Sequence, residues 1–243
     1  MRVPSLPVFG IYQIPFQTDA PGITVSVESG LATSTYRRTS PEGTLAKRLG
    51  YREGRVIINP VEPINLPTEV TGMLEFHFMP VTMRPNSRIT ICLKFPVEIG
   101  VFVGADDNYT LLDVFSLARP KYSLYGTPEK GVITRHVECE VYEDAPPTNP
   151  LEEGVLFLTL RNSGRDWIEV TRAVFESSAL RLFYDKTVAM AGEMEVFSRM
   201  VAETKVIDRP PEEGMKQALR VYPTKKSLIP ERPPFMMEYG VGD

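Results

Sequence analysis

Apolar residues recur at every second position along most of this chain, and that period restricts what it can fold into. In Leu74-Glu75-Phe76-His77-Phe78-Met79, the side chains of Leu74, Phe76 and Phe78 share one face, while Glu75 and His77 share the other. Arg88 to Phe95 repeats the pattern, with Ile89, Ile91 and Leu93 opposed to Arg88, Thr90, Cys92 and Lys94. Such alternation suits a half-buried strand. The turn formers Arg84-Pro85-Asn86-Ser87 between the two runs predict a hairpin.

Further strands are expected at Val97 to Val103, Tyr109 to Leu117, Lys121 to Tyr125 and Val132 to Tyr142. The last third continues with Val155 to Arg161, a turn at Asn162-Ser163-Gly164, and a return over Trp167 to Phe175. Leu180 to Tyr184, Met194 to Phe197 and Val201 to Ile207 follow, although Met194, Phe197, Met200 and Val201 also fit a helix. One short helix is predicted, capped by Ser40, with Pro41 in its first turn, Leu45 and Leu49 on one face, and Gly50 as its stop. The class is therefore all-β and mainly antiparallel, with at most one or two short helices.

Glu143-Asp144-Ala145-Pro146-Pro147-Thr148-Asn149-Pro150 cannot join a central strand and is the expected domain boundary. Two sandwich-like domains follow, residues 1–145 and 146–243. A second break lies at Asp208 to Gly214. The proline-rich end, residues 229–243, carries Phe235, Met236, Met237 and Tyr239 and is expected to dock on its own sandwich or on a partner.

A faint internal repeat matches Val114-Phe115, Tyr122 to Tyr125 and Glu138 to Tyr142 with Val174-Phe175, Leu182 to Tyr184 and Glu193 to Phe197.

Composition narrows the function classes. Hydrophobic residues at 42% and charged residues at 24% match a folded globular chain. The net charge of -4 lacks the basic surplus that drives nucleic-acid binding. Pro4, Pro7 and Pro15 interrupt the apolar start, which argues against a signal peptide, and no apolar run nears the roughly 18 residues of a membrane span. A soluble cytoplasmic protein without membrane insertion is expected. The 22 prolines, with glutamine only at Gln13, Gln17 and Gln217, suit a heat-adapted source.

Chemistry-bearing residues are few. His77 with Glu75, and His136 with Glu138 and Glu140, would suit zinc or iron if their strands were neighbours. Alternation alone already explains polar residues there. The long stretch between the two runs argues against adjacency, so no metal, cofactor or catalytic residue is assigned. His136 and Cys139 lie three apart on one strand and face opposite sides, which removes a nucleophile–base pair. Val137, Cys139 and Val141 share a face, making Cys139 a small buried hydrophobe. A Cys92–Cys139 disulfide requires neighbouring strands. Asp106-Asp107-Asn108 lacks the spacing of a calcium loop and reads as a turn. Trp167, beside Ile168 and Val170, is expected in or near the core.

The run Tyr51 to Pro60, followed by Leu74 to Met79 and Pro85-Asn86-Ser87, resembles an archaeal family of unknown function. That resemblance implies an archaeal, heat-adapted source and brings no activity. The function expected is non-catalytic: binding of another protein, or self-association, through strand edges and the apolar tail. The alternative is a metal-dependent or small-ligand enzyme built on His77, His136 and the neighbouring glutamates.

Overall fold

The computed structural model describes residues 9–63, 72–105, 108–221 and 235–238. Their regular structure is almost entirely strand. In chain order the strands are β1 (Gly10–Gln13), β2 (Phe16–Ala20), β3 (Ile23–Ser29), β4 (Ser34–Ser40), β5 (Gly43–Leu49), β6 (Arg55–Val61), β7 (Met73–Met83), β8 (Ser87–Pro96), β9 (Glu98–Ala105) and β10 (Asn108–Ser116). There follow β11 (Lys121–Tyr125), β12 (Val132–Cys139), β13 (Glu153–Asn162), β14 (Ile168–Glu176), β15 (Phe183–Tyr184), β16 (Val188–Ser198), β17 (Val201–Ile207), β18 (Lys216–Gln217) and β19 (Phe235–Met237). A single 3-10 turn, Ser177–Ala179, is the helical content of the described residues, and none of their helices could cross a membrane.

The chain forms two compact units. The first comprises residues 1–59 and 99–115, and the second residues 60–98 and 116–243. The boundary expected at residues 145/146 is therefore corrected. β8 and β13 lie on opposite sides of Pro146 yet pair antiparallel from Ser87↔Asn162 to Pro96↔Glu153. The prolines lie between β12 and β13, but both ends of their loop are tied to β8. Cys92 and Tyr142 exchange backbone bonds of 2.8 and 3.0 Å, and the Val97 N–H donates to the Glu152 carbonyl at 2.9 Å. Proline-rich sequence here marks a sheet rim, not a linker.

In the first unit, β2-β3-β4-β5 form an antiparallel meander, and β1, β6, β9 and β10 form a second sheet. The helix expected over residues 40–50 is instead the β4–β5 hairpin. A spacing of four puts Leu45 and Leu49 on one face of a strand as well as of a helix, so that pair could not discriminate. Gly43, with φ of 137°, opens β5 straight after the Pro41-Glu42 turn. Between the sheets' residues, the buried Tyr36 hydroxyl donates to Asp113 at 2.6 Å and Arg38 Nε donates to the same oxygen at 2.7 Å. Burial and the Asp113 carboxylate push the Tyr36 pKa up.

The second unit is a sandwich of two sheets. One is β11-β12-β7-β14. The other runs β18-β15-β16-β13-β8, with β17 also on β16 and β19 on β17. The hairpins expected at Arg84–Ser87 and at Asn162–Gly164 are both corrected. β7 and β8 enter different sheets, as do β13 and β14. Each turn is an arch between the layers, because local turn chemistry does not choose a strand's partner. Asn162, buried to 1% exposure, joins the two arches. Its amide donates to the carbonyls of Arg84 at 3.0 Å and Asp166 at 2.9 Å, and its Oδ1 accepts the Gly164 N–H at 2.9 Å.

Packing between the layers is close. The Phe76 and Phe175 rings meet edge to face at 6.0 Å. A Cβ on Gly192 would lie 2.9 Å from the Phe175 ring, so only glycine lets β16 approach β14 this closely. Met194 and Phe197 lie in β16, Met200 in the turn and Val201 at the start of β17, which settles the helix–strand ambiguity there. Trp167 is corrected: it stands just before β14 and is 62% exposed, while Ile168 takes the inward position.

The two sheets share a topology. In β11-β12-β7-β14 and in β15-β16-β13-β8, a hairpin lies beside a parallel strand, then an antiparallel one. The halves exchange a strand, β8 joining β13 and β14 joining β7. Two of the three matches in the sequence repeat follow this order, β11 with β15 and β12 with β16. The first does not, since β14 corresponds to β8 and not to β10.

Replacing Asn162 with alanine leaves several buried backbone groups unpaired at once. The expected loss is about 2–4 kcal/mol, from about 1–3 for each unsatisfied group with part recovered by water. Urea unfolding checks it, and a change under about 0.5 kcal/mol, the usual scatter for surface substitutions, would refute the pin.

Candidate functional site

The two histidines, far apart along the chain, lie on neighbouring strands. β12 lies parallel to β7, with His136 opposite Glu75 and Glu138 opposite His77. Register partners point to the same side, so these four residues share one face of the sheet. The His77 and His136 ring centroids are 6.0 Å apart.

Glu75 is nevertheless committed elsewhere. It is 1% exposed, accepts the Thr134 hydroxyl at 2.5 Å, and pairs with Arg172 Nη1 at 3.2 Å. Arg172 in turn lies over the Tyr125 ring at 5.9 Å. The tail strand seats beside this group: Phe235 is 6.4 Å from Tyr125, the Glu238 N–H donates to the Tyr125 hydroxyl at 3.1 Å, and Met237 is fully buried. Tyr239 lies outside the described residues, as do Asp106 and Asp107. No group of three histidine, cysteine, aspartate or glutamate side chains suited to a metal occurs among the described residues.

On the opposite face of β12, Arg135 occupies a position that alternation reserves for an apolar residue. Its Nη1 donates to Glu98 Oε1 at 2.7 Å, with side chains 2% and 0% exposed. The signal was present in the sequence, since Arg135 interrupts the series Ile133, Val137, Cys139, and Glu98 stands inside the apolar run Val97 to Val103. Arg135 Nη2 and His136 Nδ1 are buried without a hydrogen-bond partner among the described residues.

Beside this pair is a cavity of about 520 Å³. Its walls include Lys94 to Pro96, Arg119, Lys121, Arg135 to Glu140, Tyr142, Glu152 and Glu153. The charges are mixed. Lys94 and Glu153 pair at 3.0 Å, and the Tyr142 hydroxyl donates to Glu140 at 2.8 Å. Cys139 lines the cavity with its thiol 3.6 Å from the His77 carbonyl. Burial, helped by the Glu138 charge, pushes its pKa up to about 12, so it remains a thiol and not a nucleophilic thiolate. Cys139 is half-buried, and both it and Cys92 are free thiols.

The chain belongs to a family of proteins of unknown function, DUF432, whose sequence model matches residues 8–238. Comparison with curated proteins and with solved structures finds no match. Membership in DUF432 carries no activity to any residue of the cavity or the histidine pair.

Breaking the buried ion pair from one side should be costly. Arg135→Met takes the guanidinium from the buried Glu98 carboxylate and should lose about 3–5 kcal/mol in chemical denaturation. The double change Arg135→Met/Glu98→Leu should recover most of that loss, and additive losses would refute the pairing. For the histidines, elemental analysis of untagged protein should find no stoichiometric zinc, iron or nickel. An equivalent of metal that disappears with His77→Ala or His136→Ala would reverse that assignment.

Proposed function

We propose that this protein is a non-catalytic β-sandwich module that works by protein–protein association, its own copies included. The supporting observation is the β11–β12 hairpin at the rim of its sheet. Tyr122, Leu124 and Ile133 point to one side and are 39%, 43% and 43% exposed, with Leu124 directly opposite Ile133. Val132 is exposed nearby, and Trp167 is exposed at the start of the other rim strand. Clustered apolar groups on an open sheet edge forgo burial that a partner would restore.

The net charge of -4 supports a partner other than nucleic acid. High proline and scarce glutamine support a heat-adapted source, and two free thiols support a reducing, cytoplasmic setting.

The double variant Leu124→Lys/Ile133→Lys should keep the wild-type melting temperature while abolishing association. Sedimentation velocity reports self-association, and quantitative capture from the source organism reports other partners. Unchanged mass and an unchanged captured set would refute the assignment of this surface.

A further inference from the structure

The cavity runs along the edge of β12. Arg135 to Glu140 all line it, although successive side chains of a strand point to opposite faces. Consecutive residues can border one cavity in this way when it lies against the backbone edge of the strand. The pairing explains the opening. β7 occupies one edge of β12 through Cys139↔Phe78, whereas β11 leaves the other edge at Lys121↔His136. From Val137 onward that edge pairs with no described strand. The facing wall is similar: β8 is the last strand of its sheet, and beyond the Cys92–Tyr142 rung Lys94, Phe95 and Pro96 border the same space.

The matching half of the sandwich shows what such an edge accepts. β16 corresponds to β12 and β15 to β11. β15 likewise leaves β16 early, after Phe183↔Ala189, but there β17 takes over the vacated edge, antiparallel, from Ala191↔Ile207 to Ser198↔Val201. β12 has a shorter open edge, from Val137 to its end at Cys139, and no equivalent of β17 among the described residues.

We infer that the cavity receives an extended segment of a partner protein, added antiparallel to β12 along Val137 to Glu140 in the place that β17 holds on β16. This rests on the reading of the protein as an association module and assigns it a second contact, separate from the Tyr122–Leu124–Ile133 surface. Main-chain bonds to the strand edge supply affinity, and the cavity walls select side chains.

The charges left over fix the kind of segment. Arg119, Lys121, Glu138 and Glu152 form no ion pair among the described residues, whereas Lys94 and Glu153 are paired with each other. A segment antiparallel to β12 runs in the direction of β11, so its carboxyl end approaches Lys121 and Arg119. Its amino end lies toward Glu138 and Glu140, while Glu152, whose carbonyl accepts the Val97 N–H, stands at the Arg135–Glu98 end, where Arg119 and Lys121 outnumber it. The segment is therefore basic at its amino end and acidic at its carboxyl end.

The probe is a short synthetic peptide with lysines at its amino end, alternating threonine and valine in the middle, and glutamates at its carboxyl end. Its control has the lysine and glutamate ends exchanged. Fluorescence anisotropy with the full chain should show the first binding about tenfold more tightly than the control, a difference of about 1.4 kcal/mol. Hydrogen exchange at Val137 to Glu140 should slow in the complex. Arg119→Glu/Lys121→Glu, at exposed positions, should weaken the first peptide, and a peptide with lysines at both ends should bind this variant better than wild type. Failure of both peptides to bind, equal binding of the two, or binding without protection at Val137 to Glu140 would overturn the inference. A peptide whose binding is lost in Leu124→Lys/Ile133→Lys but unaffected by Arg119→Glu/Lys121→Glu would also overturn it, while leaving the association reading standing.

Discussion

The second unit depends on two arches held at one corner. A sandwich whose strands leave one sheet and enter the other must turn without losing the backbone bonds of either ladder. Asn162 meets that demand by serving both turns from one side chain. It is the last residue of β13, it sits opposite Ser87 at the start of β8, and its amide reaches the carbonyls of the neighbouring arches. With the corner fixed, β7 can lie on β14 and β8 on β13, and the inward faces close around Phe76, Phe175 and Gly192.

Strand exchange between the halves then determines where chemistry can occur. Because β14 flanks β7 on one side, the parallel place on its other side is left to β12. That choice brings His77 beside His136 and lowers Thr134 onto Glu75. It also turns Arg135 inward to Glu98. A buried arginine–glutamate pair is a poor source of net stability, since desolvation offsets most of its attraction, but it strongly penalises any register that leaves one charge alone. Because a one-residue slip would turn Arg135 outward, the pair fixes β12 in place.

How much of this could be read from the sequence depends on which physical rule applied. Leu74 to Phe78 and Ile89 to Leu93 announce their strands because alternation is a local property of the chain. Lys121 to Tyr125 and Val201 to Ile207 coincide with β11 and β17 for the same reason. Partner choice is not local. Arg84 to Ser87 holds correct turn residues, yet nothing in those four positions says whether the following strand folds back or crosses to another layer. The same gap misplaced the boundary at Pro146 and separated His77 from His136. Leu45 and Leu49 were ambiguous because an even spacing satisfies both periods. Arg135 and Glu98 were legible in principle, as charges at inward positions, but each makes sense only when the other is known to be there.

The chain passes between the two units at residues 59/60, 98/99 and 115/116, which has a consequence for its synthesis. The β2–β5 meander can close as soon as it leaves the ribosome, since each strand meets the next. β7 and β8 emerge afterwards with none of their partners yet made. The first unit is then completed by β9 and β10, while β7 still waits for β12 and β14. At roughly 5–20 residues per second, the interval from the end of β7 to the end of β12, the first partner of either strand, lasts about 3–11 s. Through that interval two strongly apolar strands have only each other or a chaperone to meet, so the nascent chain is most vulnerable to misassembly midway through translation.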